Sequence, residues 1–190
     1  MLKVNTINII IMKLHLGCGK RNFGDDWIHI DGSNYEHIKY HDITRLPFDD
    51  NPVDLIYASH VLEYFDREEV LLVLKEWQRV LKNNGVLRLA VPNFETMTKL
   101  YIQGHGLDKF IGPIFGKWKM TETETIYHKT VYDFDSLKNI LEYCNFENVK
   151  LWDWRNVEHS NFDDYSQAYI PHMDKENGTL ISLNVEAQKN

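Results

Sequence analysis

A glycine turn followed by a carboxylate is the part of this sequence whose residue types and spacing suggest a chemistry. Gly17 and Gly19 follow a strand-like run at 13–16, and Asp31 ends a second such run at 27–31. Glycine lets the backbone approach a ligand closely, and a carboxylate can accept hydrogen bonds from both hydroxyls of a ribose. The spacing therefore predicts a site for a nucleoside-containing cofactor where these two strands end.

The same spacing distinguishes between cofactors. A dinucleotide-binding fingerprint needs a third glycine three residues after the second, and an acidic residue about 20 residues further on. Position 22 is instead Asn22, and Asp31 comes only twelve residues after Gly19. An NAD-dependent oxidoreductase on a Rossmann fold is therefore a disfavoured alternative.

Three further blocks follow the glycine turn in a regular order. They read HDITRLPF at 41–48, VDLIYASHVLEY at 53–64 and LKNNGVLRLAVP at 81–92. Together with KLHLGCG at 13–19, these blocks resemble the successive motifs of class I S-adenosylmethionine (SAM) methyltransferases, in particular the small-molecule enzymes of the type 11 group. The resemblance covers most of residues 13–92 and becomes vaguer beyond them.

The resemblance implies a fold, a cofactor and a set of binding residues. The fold would be α/β and Rossmann-like, with a mostly parallel seven-stranded sheet and helices on both of its faces. The cofactor would be SAM, and the residues expected to bind it are Leu16, Gly17, Cys18, Gly19, Asp31, Gly32, Asp42, Ile43, Ser59 and His60. Asp31 corresponds to the ribose ligand, and Asp42 with Ile43 to the adenine site. Ser59 and His60 would lie beside the methyl group.

Methyl transfer is an in-line displacement on an activated methyl group, so proximity and alignment are the main contributions of such an enzyme. The acceptor is expected to be a small molecule or a sugar-containing intermediate that is methylated at oxygen, and a hydroxyl acceptor also benefits from a general base. His128 is the first candidate for that base and His60 the second. The weaker candidates are His105, His159, Asp163, Asp164 and His172.

The chain departs from the family pattern near the glycine turn. Only residues 20–26 separate the turn from the second strand, which is enough for a loop or a single helical turn. The first crossover helix is therefore predicted to be shortened. His15 and Arg21 stand where the family often carries an acidic residue and a third glycine, so the carboxylate end of the cofactor is expected to be held by Lys20 or Arg21. The short crossover also keeps open a SAM-binding protein without catalysis.

Alternating strand and helix patterns position these residues. Strands are predicted at 12–16, 27–31, 37–41, 53–59, 86–91, 147–154 and 180–187. One helix is predicted at 67–82, with Asp66 as its cap and Glu69 completing a capping box, and a second at 136–144 with Asp135 as its cap.

Two irregular stretches follow the fifth strand. Residues 103–130 contain clustered glycines and a polar Thr/Glu tract, which predicts a loop-rich, mobile substrate lid that carries His128 toward the acceptor. A plain surface insertion is the alternative for this stretch. Residues 155–178 are expected to form a second wall of the same pocket.

Composition restricts the class of protein. The 190 residues suit a single domain, and the formal net charge of −7 without a basic run argues against a nucleic-acid partner. The two cysteines predict no disulfide framework, and the histidines show no metal-ligand spacing, so no metal is expected. No apolar run has the ~20 residues of a membrane span.

These observations favour a cytoplasmic enzyme that acts as a monomer or homodimer without a membrane partner. Residues 1–11 either lead into the first strand or precede a natural start at Met12.

Overall fold

The computed structural model describes residues 11–120 and 123–190, so the prediction for residues 1–11 lies almost wholly outside them. The strands of the described residues are, in chain order, β1 Lys13–Leu16, β2 Trp27–Ile30, β3 Ile38–Tyr40, β4 Val53–Ser59, β5 Leu81–Pro92, β6 Trp118–Lys119, β7 Thr125–Ile126, β8 Phe146–Leu151, β9 Tyr169–Ile170, β10 Thr179–Leu180 and β11 Ser182–Lys189. The α-helices are α1 Glu69–Val80, α2 Phe94–Ile102, α3 Asp108–Phe115 and α4 Phe134–Tyr143. Short 3₁₀ turns lie at Leu62–Tyr64, Trp154–Asn156 and Tyr165–Gln167.

One mixed sheet organises the chain. Its strand order is β3-β2-β1-β4-β5-β11-β8, and the pairs from β3 to β5 are parallel, whereas β11 runs antiparallel to both of its neighbours. All seven predicted strands are present in this sheet. The order reverses at β1 and β4, and in parallel α/β sheets such a switch point is where ligands bind, beyond the carboxyl ends of the strands.

The two faces of the sheet are covered differently. Leu14, Ile30 and Ile56 face α1 and α4 in one large apolar core, which is closed by residues such as Trp77 and Leu141. No helix lies between β1 and β2, which confirms the shortened first crossover. The face above that crossover is instead covered by side chains from the loops.

An aromatic layer replaces the missing helix. His15 stacks on Phe23 at 4.0 Å between ring centroids, and Phe23 stacks on His159 at 4.9 Å. Tyr57 lies 4.2 Å from His159, and the Phe23 amide donates to Nε2 of His29 at 2.9 Å. The loop after β8 thus supplies packing that the first crossover is too short to provide.

The helix boundaries confirm one predicted cap and correct the other. Oδ1 of Asp66 accepts from the Glu69 amide at 2.9 Å, and Oε2 of Glu69 accepts from the Asp66 amide at 2.8 Å, as in a capping box. Helix α4 begins two residues earlier than predicted because Asp133, not Asp135, caps it. Asp133 and Ser136 exchange side-chain-to-backbone hydrogen bonds at the first turn.

The stretch at 103–130 is more ordered than the predicted loop. It contains helix α3 and the β6–β7 hairpin, and residues 121–122 of its Thr/Glu tract lie outside the described part. Phe110 of α3 is only 2% exposed and packs with Leu100 and Ile170. None of the helices in the described residues has the length and apolar character needed to cross a bilayer.

Because the aromatic layer contains buried histidines, we expect the protein to lose stability in acid. Burial lowers the pKa of His29 to about 4 and that of His159 to about 3, and it also lowers the pKa of His15. These rings stay neutral in the native state, whereas in the unfolded chain they bind a proton near their ordinary pKa of about 6.5. Each contributes stability that is complete above that pH and is lost as the pH falls toward its native pKa, by up to about 1.4 kcal/mol per pH unit.

Replacing His159 by Phe should therefore keep the stacking on Phe23 and remove one titrating group. We expect the free energy of unfolding, measured by urea denaturation, to fall less steeply between pH 6.5 and 4.5 in this variant than in the wild type. His172→Gln, at an exposed position, is the control and should keep the wild-type slope. An unchanged slope in His159→Phe would show that this ring does not stay neutral in the native protein.

Candidate functional site

A large cavity opens at the carboxyl ends of β1, β2 and β4. Its volume is about 1330 Å³, more than the roughly 300–1,000 Å³ of a pocket for one small ligand. The predicted site residues around it are Gly17, Gly19, Asp31, Gly32, Asp42, Ile43, Ser59, His60 and His128. The cavity is therefore large enough for a nucleoside cofactor and a second small molecule side by side.

Two predicted residues do not line this cavity. The side chain of Leu16 is fully buried in the core. Sγ of Cys18 faces Nε2 of His37 at 3.8 Å, and burial raises the pKa of the Cys18 thiol to about 12. Cys18 is thus an inert filler of the turn, and any contact of either residue with a ligand would come from its backbone.

The weaker catalytic candidates divide in the same way. His105, Asp163, Asp164 and His172 line the cavity, whereas His159 belongs to the aromatic layer. No group of histidine, cysteine, aspartate and glutamate side chains in residues 11–120 and 123–190 is arranged to hold a metal ion.

The glycine turn is held open by its own backbone and by Asp31. Gly17 has φ +65° and Gly19 has φ +54°, a region that other residues rarely adopt. A Cβ at position 17 would lie 2.2 Å from Cγ2 of Val61, so a protein side chain fills the space that the missing Cβ leaves. The Gly19 amide donates to Oδ2 of Asp31 at 2.8 Å, which ties the turn to the end of β2.

Asp31 is more heavily used than the sequence suggests. Its Oδ1 accepts from the Ser33 amide at 2.7 Å and from the Ser33 hydroxyl, while Oδ2 holds Gly19. A carboxylate has about four acceptor positions, so about one remains on Oδ2. One ribose hydroxyl can donate there directly, and a second needs the Ser33 hydroxyl to turn away.

The expected adenine side of the cavity is preorganised by short loops. Oδ1 of Asp42 accepts from the amide and the hydroxyl of Thr44 at 2.8 and 2.6 Å, and the hydroxyl bond holds the pKa of this exposed carboxyl below its usual value. The carbonyl of Ile43 accepts from Nε1 of Trp77 at 2.8 Å. An ionised carboxylate and an apolar side chain therefore stand together at the rim.

Of the two cations predicted for the cofactor's carboxylate, only Arg21 reaches the cavity. Its Nε donates to the Asp163 carbonyl at 2.9 Å, and its guanidinium carbon lies 4.9 Å from the centre of the Tyr165 ring. Lys20 is exposed and is not part of the cavity lining. The guanidinium of Arg21 is thus held against Asp163 and Tyr165 in the cavity lining.

The β6–β7 hairpin covers the glycine turn, which the sequence did not indicate. The Trp118 ring lies 3.6 Å from where a Cβ of Gly19 would be. Cε of Met120 lies 2.4 Å from the corresponding point at Gly32, so the methionine fills the space beside this glycine and would have to move for any larger residue there. The sequence feature that could have indicated this contact is the pair of apolar residues Trp118 and Met120 just before the polar tract at 121–125.

A buried carboxyl group joins the two candidate catalytic histidines. Glu63 lies in the 3₁₀ turn after β4 and is fully buried. Its Oε1 is 3.3 Å from Nδ1 of His60 and 3.7 Å from Nε2 of His128. The sequence placed Glu63 in a motif but gave no indication that it lies between these two rings.

Burial keeps this cluster neutral near pH 7. It raises the pKa of Glu63 to about 8, lowers that of His60 to about 3 and lowers that of His128 as well. Nδ1 of His128 lies 3.0 Å from the carbonyl of Pro113, which can only accept a hydrogen bond. Nδ1 of His128 therefore carries the proton, and its Nε2 presents a lone pair to Glu63.

This geometry corrects the predicted role of His128. Its two ring nitrogens face Pro113 and Glu63, and Gly116 packs so closely on the ring that a Cβ there would lie 2.3 Å from Nε2. Direct proton removal by His128 would need the ring to leave these contacts. His60 also lines the cavity, with its Nδ1 facing Glu63, its Nε2 facing Ser182 and its ring 5.2 Å from that of Tyr165.

Comparisons with known proteins show what the chain is similar to. A sequence profile described as "Methyltransferase domain" matches residues 20–89. The demethylmenaquinone methyltransferase of Staphylococcus haemolyticus is 31% identical over 129 residues, which are 62% of this chain and 51% of that protein. The protein of the same name from Staphylococcus aureus is 30% identical over 132 residues, 63% and 52% of the two chains. The chain thus spans about half the length of the curated relatives it matches.

Solved structures share the fold. A SAM-dependent methyltransferase from Methanosarcina mazei superposes with a TM-score of 0.57 at 20% identity, covering 94% of this chain and 92% of the other. The 1,6-didemethyltoxoflavin-N1-methyltransferase of Burkholderia thailandensis, solved with 1,6-didemethyltoxoflavin and S-adenosylhomocysteine, gives a TM-score of 0.53 at 11% identity, covering 94% and 71%.

The strand order defines a Rossmann-like α/β protein with a cavity at its switch point. With the profile match over residues 20–89, these features make the chain similar to class I SAM-dependent methyltransferases.

The turn itself can be tested by a pair of neighbouring substitutions. Gly17→Val should abolish binding of S-adenosylhomocysteine in calorimetry, because the side chain meets Val61 and the positive φ adds strain of roughly 1–3 kcal/mol. Cys18→Ala should keep the affinity within about twofold, and circular dichroism should show both variants folded. Normal binding by Gly17→Val together with a large loss in Cys18→Ala would contradict this description of the turn.

Proposed function

We propose that this protein is a SAM-dependent methyltransferase that transfers a methyl group to a hydroxyl of a small, largely apolar acceptor. The supporting observation is the single cavity that runs from the glycine turn and Asp31 to His60 and the residues of the β6–β7 hairpin. Such a cavity brings a cofactor and an acceptor into contact away from bulk water, which is what an in-line transfer requires.

The residues at one end of the cavity fit SAM. Backbone at Gly17 and Gly19 would pass beside the cofactor, Oδ2 of Asp31 would accept from the ribose, and Asp42 with Ile43 would hold the adenine. Arg21 would pair with the carboxylate of the amino-acid tail, in place of the residues usual in the family. Bound there, SAM supplies a methyl group that is already activated for displacement.

The remaining cavity lining favours an apolar acceptor. It includes many aromatic and aliphatic side chains, namely Tyr64, Phe65, Ile126, Tyr127, Tyr165, Tyr169, Ile170, Met173 and Ile181. A free sugar would leave many hydroxyls unpaired against such a wall, so a sugar-containing acceptor would need an apolar portion. The names of the curated relatives agree with a small-molecule acceptor.

Alignment supplies most of the proposed rate. Holding acceptor and methyl group in line can be worth ~7–11 kcal/mol, and a general base contributes about 10²–10⁴-fold more. His60 is the proposed base, because it lines the cavity directly after Ser59 at the end of β4.

Binding of SAM through Asp31 is the first test. Asp31→Ala removes a charge-assisted acceptor and the anchor of the Gly19 amide, so affinity for S-adenosylhomocysteine should fall about 10- to 100-fold in calorimetry. Ser33→Ala is the matched control, because it removes a competing hydroxyl from Oδ1 and should leave the affinity equal or slightly better. Unchanged affinity in a folded Asp31→Ala variant would rule out the ribose role.

The same calorimetry separates the alternatives. NAD should give no binding, in contrast to an oxidoreductase. The shortened first crossover favours a second candidate, a SAM-binding protein without catalysis, and SAM binding without turnover over a broad panel of apolar hydroxyl compounds would support it.

Movement of the hairpin is the next prediction. Because Met120 rests on Gly32 and Trp118 on Gly19, a cofactor bound at Asp31 must contact or displace both side chains. Hydrogen exchange of amides in β6 and β7 should therefore change when S-adenosylhomocysteine binds, and Met120→Ala should speed cofactor association in stopped flow. Identical exchange with and without the ligand, in a protein shown to bind it, would mean that this hairpin is a static surface insertion.

A further inference from the structure

The cluster of His60, Glu63 and His128 contains polar atoms that the proposed reaction does not use directly. Both carboxyl oxygens of Glu63 are buried, and neither has a partner with hydrogen-bond geometry. Two ring nitrogens, Nδ1 of His60 and Nε2 of His128, lie beside Oε1 of this carboxyl at 3.3 and 3.7 Å. A buried carboxyl group without a partner is costly, so its protonation state must follow from what these nitrogens can offer.

The carbonyl of Pro113 sets the direction of the hydrogen bonds. It accepts from Nδ1 of His128, and the His128 amide donates to the carbonyl of Phe115 at 2.8 Å. His128 therefore satisfies two carbonyls at the end of α3 that have no partner within the helix. With the proton on Nδ1, the Nε2 atom of this neutral ring can only accept, and the facing Oε1 atom must be the donor.

The ring of His60 faces the same carboxyl oxygen from the other side, with Nδ1 3.3 Å from Oε1 of Glu63. Nε2 of His60 lies 3.4 Å from Oγ of Ser182, whose own hydrogen is donated to Oδ1 of Asn184 at 2.8 Å, so Nε2 is the donor of that contact. Nδ1 of the neutral ring then presents a lone pair, and both histidines face Oε1 of Glu63 with acceptors.

We propose that Glu63 is a positioning residue that acts as a neutral carboxylic acid, whose proton is offered to the lone pairs of His60 and His128. It thereby orients the ring of His60 and latches residues 113–120 and 123–130 onto the end of β4. The role at His60 rests on the proposed function, whereas the latch does not. Backbone bonds run beside this latch, since the amide of Lys129 donates to the carbonyl of Glu63 at 2.8 Å.

The surroundings of Glu63 agree with a neutral acid. Its ionisable neighbours are His60 at the end of β4, Tyr64 in its own turn, His128 in the latched segment and Tyr132 before α4. Burial and the nearby Glu63 raise the pKa of both tyrosines, so they stay neutral. The ammonium group of Lys129 pairs with Glu69 at 2.6 Å, away from this cluster, and burial raises the pKa of Glu63 to about 8.

A glutamine at position 63 distinguishes a role as neutral acid from a role as carboxylate. The amide of Glu63→Gln can donate to both rings but cannot ionise, whereas Glu63→Leu cannot donate at all. Hydrogen exchange of residues 113–120 and 123–130 in the unliganded protein measures the latch without any methyl transfer. After correction for intrinsic exchange, wild type should lose protection about tenfold or more between pH 7 and pH 9. Glu63→Gln should stay protected at both values, and Glu63→Leu should be unprotected at both.

Two results would overturn the proposal. If Glu63→Gln is as poorly protected as Glu63→Leu at pH 7, Glu63 acts as a carboxylate. If all three proteins are equally protected at both pH values, there is no latch. Gly116→Ala keeps Glu63 but displaces His128, and it should lose protection at both pH values. In a methyl-transfer assay, Glu63→Gln should keep kcat within about threefold, and failure of this arm alone would point to the proposed function and not to the latch.

Discussion

The hydrogen bond from the Gly19 amide to Asp31 is the interaction on which the site depends. A glycine turn with two positive φ values has little intrinsic preference for one conformation, and no helix follows it to fix its direction. The carboxylate at the end of β2 supplies that direction and also holds Ser33. The same side chain thus shapes the cavity and offers its last acceptor position to a ligand.

The absence of a first crossover helix in this region also determines how the sheet is covered. Strands β1, β2 and β4 present His15, His29 and Tyr57 to the face that lacks the crossover helix. Phe23 and His159 pack over these side chains from loops. Histidine packs well in such a layer only when neutral. The exclusion of solvent from this face therefore depends on the protonation state of its histidines, whereas that of the apolar core under α1 and α4 does not.

The sequence contained enough information for the sheet but not for the contacts across it. Strands such as β4 were predictable because each keeps its apolar pattern and lies next to a turn, and the Asp66 cap because its partner Glu69 is local. The α4 cap was misassigned because two aspartates two residues apart satisfy the same pattern. Helix α3 was missed because glycines and a proline dominate its composition, while its stability comes from burying Phe110.

Most of the residues that motif order singled out line one cavity. The Glu63 cluster could not be predicted, because His128 reaches it only after the chain has passed through β5 and three helical or hairpin elements. Local patterns do not record which distant side chain will fill a buried space. The correction of His128 depended in the same way on the carbonyl of Pro113, a backbone group that every residue type provides.

The contact of Met120 with Gly32 has a consequence for the order of events in a catalytic cycle. A demethylated cofactor lying at Asp31 would be enclosed by the hairpin, so its departure would wait for the hairpin to lift. Turnover would then be set by the release of product and not by the bond-making step, as is common for enzymes with lids. Steady-state kinetics would show the cofactor entering first and leaving last, and solvent viscosity would slow the cycle more than isotopic substitution of the methyl group.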